Sequence, residues 1–219
     1  MSLVVQTLSE QIFSVVRDRI IAGRIPSDSP IRQDALAAEL GVSKIPLREA
    51  LARLEQENLL VSHANRGFFV RPLSAEEAEE VYALRLKLEP DSVGEASKLA
   101  TPEDKATARR ALEALDKAMV SNKDLVGGLN RAFHMSLVMP LGRPLTIQMI
   151  ERLNIMSERY ARKHLEPAGR DDRAHKEHLA MLELWSEGKA KPVAAMMYDH
   201  IATTLEDLRK EFKELETQE

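Results

Sequence analysis

Cysteine is absent from this chain of 219 residues. That excludes a disulfide framework, and it fits a reducing cytoplasm. Long apolar runs are missing as well. No stretch of about eighteen consecutive apolar residues occurs, so no membrane span is expected, and the N-terminus lacks the layout of a signal peptide. Aromatic residues are scarce at 4%. Abundant Ala, Leu, Glu, Lys and Arg favour a largely helical protein, and the length allows two modest domains or one large one. No internal repeat or low-complexity segment is visible. A strong charge of one sign is also lacking: the net charge is −4. The balance is uneven, however. Residues 1–73 hold nine Lys/Arg against eight Asp/Glu, whereas residues 74–219 hold 22 against 27.

The most informative stretch is GVSKIPLREALARLEQENLL, Gly41 to Leu60. Ser43 suits an N-cap and Pro46 the first turn, and Leu47, Ala50, Leu51 and Leu54 recur at helical spacing. That leaves Lys44, Ile45, Arg48, Glu49 and Arg53 on the outward side. A short cationic N-terminal turn is what a helix needs to enter a DNA major groove, although a solvated surface helix carries similar charges. Ahead of it, QDALAAELGVS forms a second helix (Leu36, Ala37, Leu40) closed by Gly41 at its C-terminus. Behind it, LLVSH and GFFVR are β-prone runs separated by Ala64, Asn65, Arg66 and Gly67, a hairpin signal. Helix, turn, helix and a basic-tipped hairpin make a winged helix-turn-helix. The segment Ser9 to Gly23, capped by Ser9 and ended by Gly23, supplies the preceding amphipathic helix. Arg24 to Pro30 is expected to be a loop, and Arg32 after it is placed to touch phosphate.

These residues resemble the GntR family of transcription regulators. The family pattern is present as Leu36-Ala37, as VSKIPLREAL and as Arg66-Gly67-Phe68-Phe69-Val70. The resemblance implies that residues 1–73 bind double-stranded DNA through Arg32, Ser43, Lys44, Ile45, Pro46, Arg48, Arg53, Arg66 and Gly67. In some relatives an arginine two positions after Arg32 contacts DNA. Asp34 stands there in this chain, so that contact is not carried over. Weak overall basicity argues for binding as a homodimer, which doubles the phosphate contacts and implies a palindromic operator.

Pro72-Leu73-Ser74 marks a linker, and Ser74 with Glu77 forms a capping box. From there on only helical periodicity is found. Six helices are expected over roughly 75–99, 102–120, 124–139, 144–165, 171–187 and 190–216, with Pro90 kinking the first and a break at Glu166–Gly169. The fold class is therefore mainly α, an N-terminal winged helix-turn-helix followed by an all-α bundle over 74–219. Within the bundle, Asn130 and His134 lie one turn apart on one face, and His178 and His200 fall on two further helices. Three imidazoles and an oxygen suit a divalent transition metal if they converge. Spacing alone equally allows packed or solvated histidines.

The second half is similar to the FCD effector domain of the FadR branch of this family, its six helices pointing to the VanR-like subgroup. The residues that carry the similarity are Tyr82-x-x-Arg85 with Leu88-Glu89, Phe133-His134, Glu177-His178 and Met197-x-x-His200. The resemblance implies a metal (Zn, Ni or Mn) on His134, His178 and His200, with Asn130 where aspartate is usual. Two further departures are Gly142-Arg143 and Lys189. Arg85 is expected to anchor a small carboxylate effector, or else to pair with Glu89; Arg159 and Tyr160 are further effector-facing candidates. His175 is expected near the site or at the surface, and His63 and His164 in solvent. Trp185 and Met196-Met197 are expected in the core.

The expected function is a ligand-responsive repressor sensing a small organic acid. A metal-dependent hydrolase or lyase is the alternative, although no HExxH helix is present. A ligand-binding protein with a disused DNA-binding head is a third reading.

Overall fold

A computed structural model of the chain describes residues 7–122, 125–165 and 170–216. Contacts divide it into two compact units, one ending at Leu73 and the other starting at Ser74. No helix among the described residues is long and apolar enough to cross a membrane.

The first unit begins with α1 (Leu8–Ile21), whose cap is Thr7 rather than Ser9. The Thr7 hydroxyl accepts from the Glu10 N–H at 3.2 Å, and the Glu10 carboxylate accepts from the Thr7 N–H at 2.8 Å. Thr7 has a glutamate three residues on and Ser9 does not, so the reciprocal box decides the start. Helix α2 (Gln33–Leu40) ends on Gly41, which takes the left-handed φ of 65°. Helix α3 (Lys44–Gln56) follows after Ser43, whose side chain makes no capping hydrogen bond. Leu47, Ala50, Leu51 and Leu54 of α3 are fully buried with Ile12, Phe13, Val16 and Ile20 of α1, and the two helices pack on each other. Strands β1 (Leu60–His63) and β2 (Gly67–Val70) pair antiparallel, with Leu60 opposite Val70 and His63 opposite Gly67. The expected loop before α2 adds an edge to this hairpin. The Ile31 N–H donates to the Phe68 carbonyl at 2.8 Å and the Val70 N–H to the Ser29 carbonyl at 2.9 Å.

The second unit is helical throughout its described residues: α4 (Ala75–Leu99), α5 (Pro102–Ser121), α6 (Val126–Val138), α7 (Pro144–Leu165), α8 (Arg170–Ser186) and α9 (Ala190–Glu216), with a 3-10 turn at Met139–Leu141. The break expected at Glu166–Gly169 lies outside the described residues. Pro90 is buried inside α4 and does not break it. The Ser74 cap departs from the expected box. Its hydroxyl accepts from the Glu77 N–H at 3.2 Å, but its N–H donates to the Tyr160 hydroxyl at 3.2 Å, which in turn donates to Glu77 at 2.8 Å.

Helix α4 runs against α9, and Gly94 sets how closely they approach. A Cβ at Gly94 would lie 2.9 Å from the Ala190 carbonyl oxygen and 3.3 Å from the Ala194 Cβ. Trp185, the sole tryptophan, is fully buried and donates from its indole N–H to the Leu137 carbonyl at 3.0 Å.

Gly94→Ala therefore tests the helix packing. The helix-propensity gain is about 1 kcal/mol, whereas forcing a methyl onto a backbone carbonyl costs about 1–3 kcal/mol. The expected outcome is a lower unfolding midpoint read by Trp185 fluorescence. An unchanged or higher midpoint would show that the α4–α9 contact is looser than described.

Candidate functional site

Four helices converge on one cavity in the second unit. Helix α6 brings Asn130 and His134, α8 brings Arg173, Glu177 and His178, and α9 brings His200; Tyr82 and Arg85 of α4 line the same space. One ring nitrogen from each of His134, His178 and His200 lies within 4.8 Å of the others. Ring centroids are 5.2 Å apart for His134 and His178, 5.3 Å for His134 and His200, and 4.9 Å for His178 and His200. His134 and His178 are buried, and Phe133 packs 4.9 Å from the His178 ring.

Hydrogen bonding separates this cluster from an ordinary polar core. Both nitrogens of His134, and Nε2 of His178, find no partner among the described residues. Buried polar atoms are normally paired, because leaving one unmet costs about 1–3 kcal/mol. His200 is oriented differently: its Nδ1 meets the Glu177 carboxylate at 2.6 Å. A carboxylate on one ring nitrogen fixes the ring and leaves the other to face the cavity. Burial, reinforced by the neighbouring imidazoles, holds His134 and His178 well below their ordinary pKa. Neutral imidazole is the form that binds metal. The donor set thus fits a divalent transition ion, with Asn130 able to add an amide oxygen.

The floor of the cavity is a closed charge pair. Arg85 donates through Nε to Glu89 at 2.6 Å and through Nη2 at 3.1 Å, and through Nη1 to Ser157 at 3.1 Å. Nη2 also reaches Asn154 at 3.3 Å, and Asn154 donates to Glu89 at 2.9 Å. The bidentate edge that was expected to clamp a ligand carboxylate therefore already holds Glu89. Tyr82 is fully buried, and its hydroxyl has no partner of good geometry among the described residues. Burial, outweighing nearby Arg85, pushes its pKa up to about 12.

Two expected cavity residues lie elsewhere. Tyr160 is buried, with its hydroxyl engaged at the α4 cap. Arg159 is likewise buried outside the cavity lining. Both sit on the same helix as Asn154 and Ser157, and sequence spacing did not tell which turn faces the cavity. His175 pairs with Asp116 at 2.7 Å, outside the cluster. His63 is exposed, whereas the side chain of His164 is outside those described. Glu177, Arg173 and Thr204 line the cavity without having been singled out as site residues. Glu177 directly precedes His178 in the sequence, but only the tertiary fold brings it to His200.

In the first unit, Ser43, Lys44, Ile45 and Arg48 are exposed at the start of α3, with Pro46 half-buried among them. Lys44 pairs with Asp34 at 2.5 Å, and Arg48 donates to the Gln33 side chain at 3.2 Å. Arg32 is exposed just before α2. Arg66 is exposed at the hairpin, its guanidinium 5.1 Å from the Phe69 ring centroid, beside Gly67 at φ 83°. Arg53 departs from expectation. It lies in the last turn of α3 with its guanidinium 4.5 Å from the Phe13 ring, so its charge covers α1 rather than the helix tip.

Residues 8–70 match the bacterial regulatory proteins of the gntR family, and residues 80–203 match the FCD domain. The chain belongs to the GntR family of transcription regulators. The Nta operon transcriptional regulator of Aminobacter aminovorans is 33% identical over 171 residues, covering 78% of this chain and 80% of that one. The transcriptional regulator McbR of Escherichia coli is 26% identical over 203 residues, covering 90% and 92%. The solved structure of E. coli McbR/YncC superposes with a TM-score of 0.83 at 21% identity, covering 95% of this chain and all of that one, and shows the same fold. This GntR-family protein is a DNA-binding regulator and not an enzyme. The relatives give the hydrolase or lyase alternative no support.

The buried histidines predict how the metal-free regulator responds to pH. Their folded pKa values lie below the ordinary 6.5. Their contribution to stability is thus complete above that value and is lost as pH falls below it, because the unfolded chain binds protons there that the fold does not. With chelator present, the Trp185-monitored melting midpoint should fall between about pH 7 and 5. His134→Gln should flatten that slope; an equal slope in the variant would contradict the assignment.

Proposed function

We propose that this GntR-family regulator is a homodimeric repressor whose FCD domain holds one divalent transition metal on His134, His178 and His200, and which releases a palindromic operator when a small organic acid enters the metal cavity. The observation that carries the reading is the set of unpartnered, buried nitrogens of His134 and His178, with the ring of His200 brought within reach of both from a third helix. A bound Zn, Ni or Mn ion supplies an open position for a carboxylate oxygen.

The chain's own residues define what else the cavity favours. Asn130 is neutral, so together with three neutral imidazoles it leaves the charge of a divalent ion uncompensated by its direct ligands. Arg85 and Glu89 cancel each other at the floor. That balance supports an anionic ligand over a neutral one. Arg85 and the neighbouring Tyr82 hydroxyl line the cavity together, which supports Arg85 as an effector contact at the cavity wall rather than a bidentate clamp. The repressor sense draws on the transcriptional repressor GlaR of E. coli, 30% identical over 157 residues, 66% of this chain and 68% of that one. Leu145 and Met149, one turn apart on α7 and exposed by 71% and 53%, supply apolar surface for a second copy.

DNA recognition is assigned to the exposed tip of α3, with Lys44 and Arg48 facing the duplex, and to Arg66 and Gly67 of the hairpin at the minor groove. An effector acts only through its differential affinity for the two states of the dimer, typically about 1–3 kcal/mol.

Fluorescence anisotropy on a duplex from the gene's own upstream region tests the proposal. Arg48→Ala should weaken binding by roughly tenfold or more. A panel of small carboxylic acids should include one that shifts the affinity of metal-loaded protein by roughly 5–150-fold, with the shift abolished in His178→Ala and retained in His175→Ala. Equal responses of His178→Ala and wild type would remove the metal cavity from the mechanism.

A further inference from the structure

The two cations at the tip of α3 are both tethered, and to consecutive residues. Lys44 Nζ meets the Asp34 carboxylate at 2.5 Å, and Arg48 Nε donates to the Gln33 side-chain amide oxygen Oε1 at 3.2 Å. Gln33 and Asp34 form the first turn of α2. Gln33 also lies against the hairpin, its Nε2 standing 3.4 Å from where a Cβ of Gly67 would be. The side chains of Lys44 and Asp34 are 57% and 79% exposed. An ion pair that open to water contributes little to folding, so fold stability does not account for a carboxylate here. Its effect falls on whatever approaches the tip.

Duplex DNA approaches as a dense array of phosphates. A free lysine grips that array whatever the sequence, releasing counterions and making the affinity steeply dependent on salt. A lysine paired with a carboxylate has its charge offset and its reach restricted, and the carboxylate itself repels the phosphate. An ammonium kept in the first turn of the helix still faces the groove floor, where guanine O6 and N7 accept hydrogen bonds and cytosine N4 can donate to a carboxylate. The tether thus penalises contacts that carry no sequence information more than those that do.

We propose that Asp34 is a specificity-determining residue of the DNA-binding head, holding Lys44 away from phosphates so that binding to arbitrary duplex is weakened more than binding to the operator, with Gln33 orienting Arg48 alongside it. The inference rests on the α3 tip being the DNA-contacting surface.

The test uses full-length, metal-loaded protein and two duplexes, one selected by the wild type from a random-sequence pool and one with that sequence scrambled. Affinities are measured by anisotropy from about 50 to 200 mM salt. Asp34→Asn should raise affinity for the scrambled duplex roughly three- to tenfold and steepen the logarithmic salt dependence by about one. Affinity for the selected duplex should change by less than about twofold, so the specificity ratio falls. Asp34→Glu should keep the wild-type ratio. In a Lys44→Met background, Asp34→Asn should leave the ratio where Lys44→Met put it. Equal gains on both duplexes, or the same fall in ratio with Lys44 absent, would overturn the role of Asp34 while leaving the tip as the DNA surface. Wild-type affinity for the selected duplex in Lys44→Met would overturn the role of Asp34, and wild-type affinity in a Lys44→Met, Arg48→Ala double variant would overturn the tip as the DNA surface as well.

Discussion

Two buried imidazoles, His134 and His178, that lack hydrogen bonds they require, set against a third, His200, that Glu177 orients, are the constraint on which the helical domain depends. A neutral imidazole has one donor and one acceptor nitrogen, and His134 meets neither need from the described protein. With Nε2 of His178 also unmet, the cluster costs the empty fold on the order of several kcal/mol. Apolar side chains at these positions would avoid that cost. A bundle that retains this arrangement is therefore coupled to whatever completes it, and an ion that does so stabilises the fold by its own binding free energy.

The rest of the cavity is consistent with that coupling. Glu177 orients His200, so one of the three imidazoles is aimed at the cavity by a side chain from a neighbouring helix. Arg85 and Glu89 form a neutral, fully buried floor, tied to α7 through Asn154 and Ser157. Helix α4 carries this floor and is also the first element after the linker from the winged helix, capped by Ser74 with the Tyr160 hydroxyl. A ligand entering the cavity thus meets residues on the helix that continues directly from the DNA-binding head in the chain. Coupling between ligand and DNA binding then depends on which conformational state those residues favour when the cavity is filled.

Much of this architecture was legible in the sequence because it depends on local rules. The buried face of α3 followed from the spacing of Leu47, Ala50, Leu51 and Leu54. The starts of α4, α5, α7 and α9 followed from Ser74 and from the prolines and glycines between the helices. Local rules also erred where two candidates competed. Ser9 and Thr7 are both capping residues, and the glutamate three residues after Thr7 decided between them. Tertiary relations were not legible. Periodicity places His134, His178 and His200 on helices but does not orient three helices toward one point; only resemblance to FCD domains did that. Nor does it tell that the Arg85 fork closes on Glu89, that Arg159 and Tyr160 lie outside the cavity, or that Arg53 turns back over Phe13. The Asp34–Lys44 tether joins two helices across a turn and was equally hidden.

The most direct measurement on the central claim is X-ray absorption spectroscopy of the purified regulator loaded with one equivalent of zinc. The account predicts an inner shell containing three imidazole nitrogens at about 2.0–2.1 Å, completed by oxygen, and loss of imidazole scattering in the His134→Ala variant. A shell of oxygen atoms alone, or a spectrum unchanged by that substitution, would contradict it.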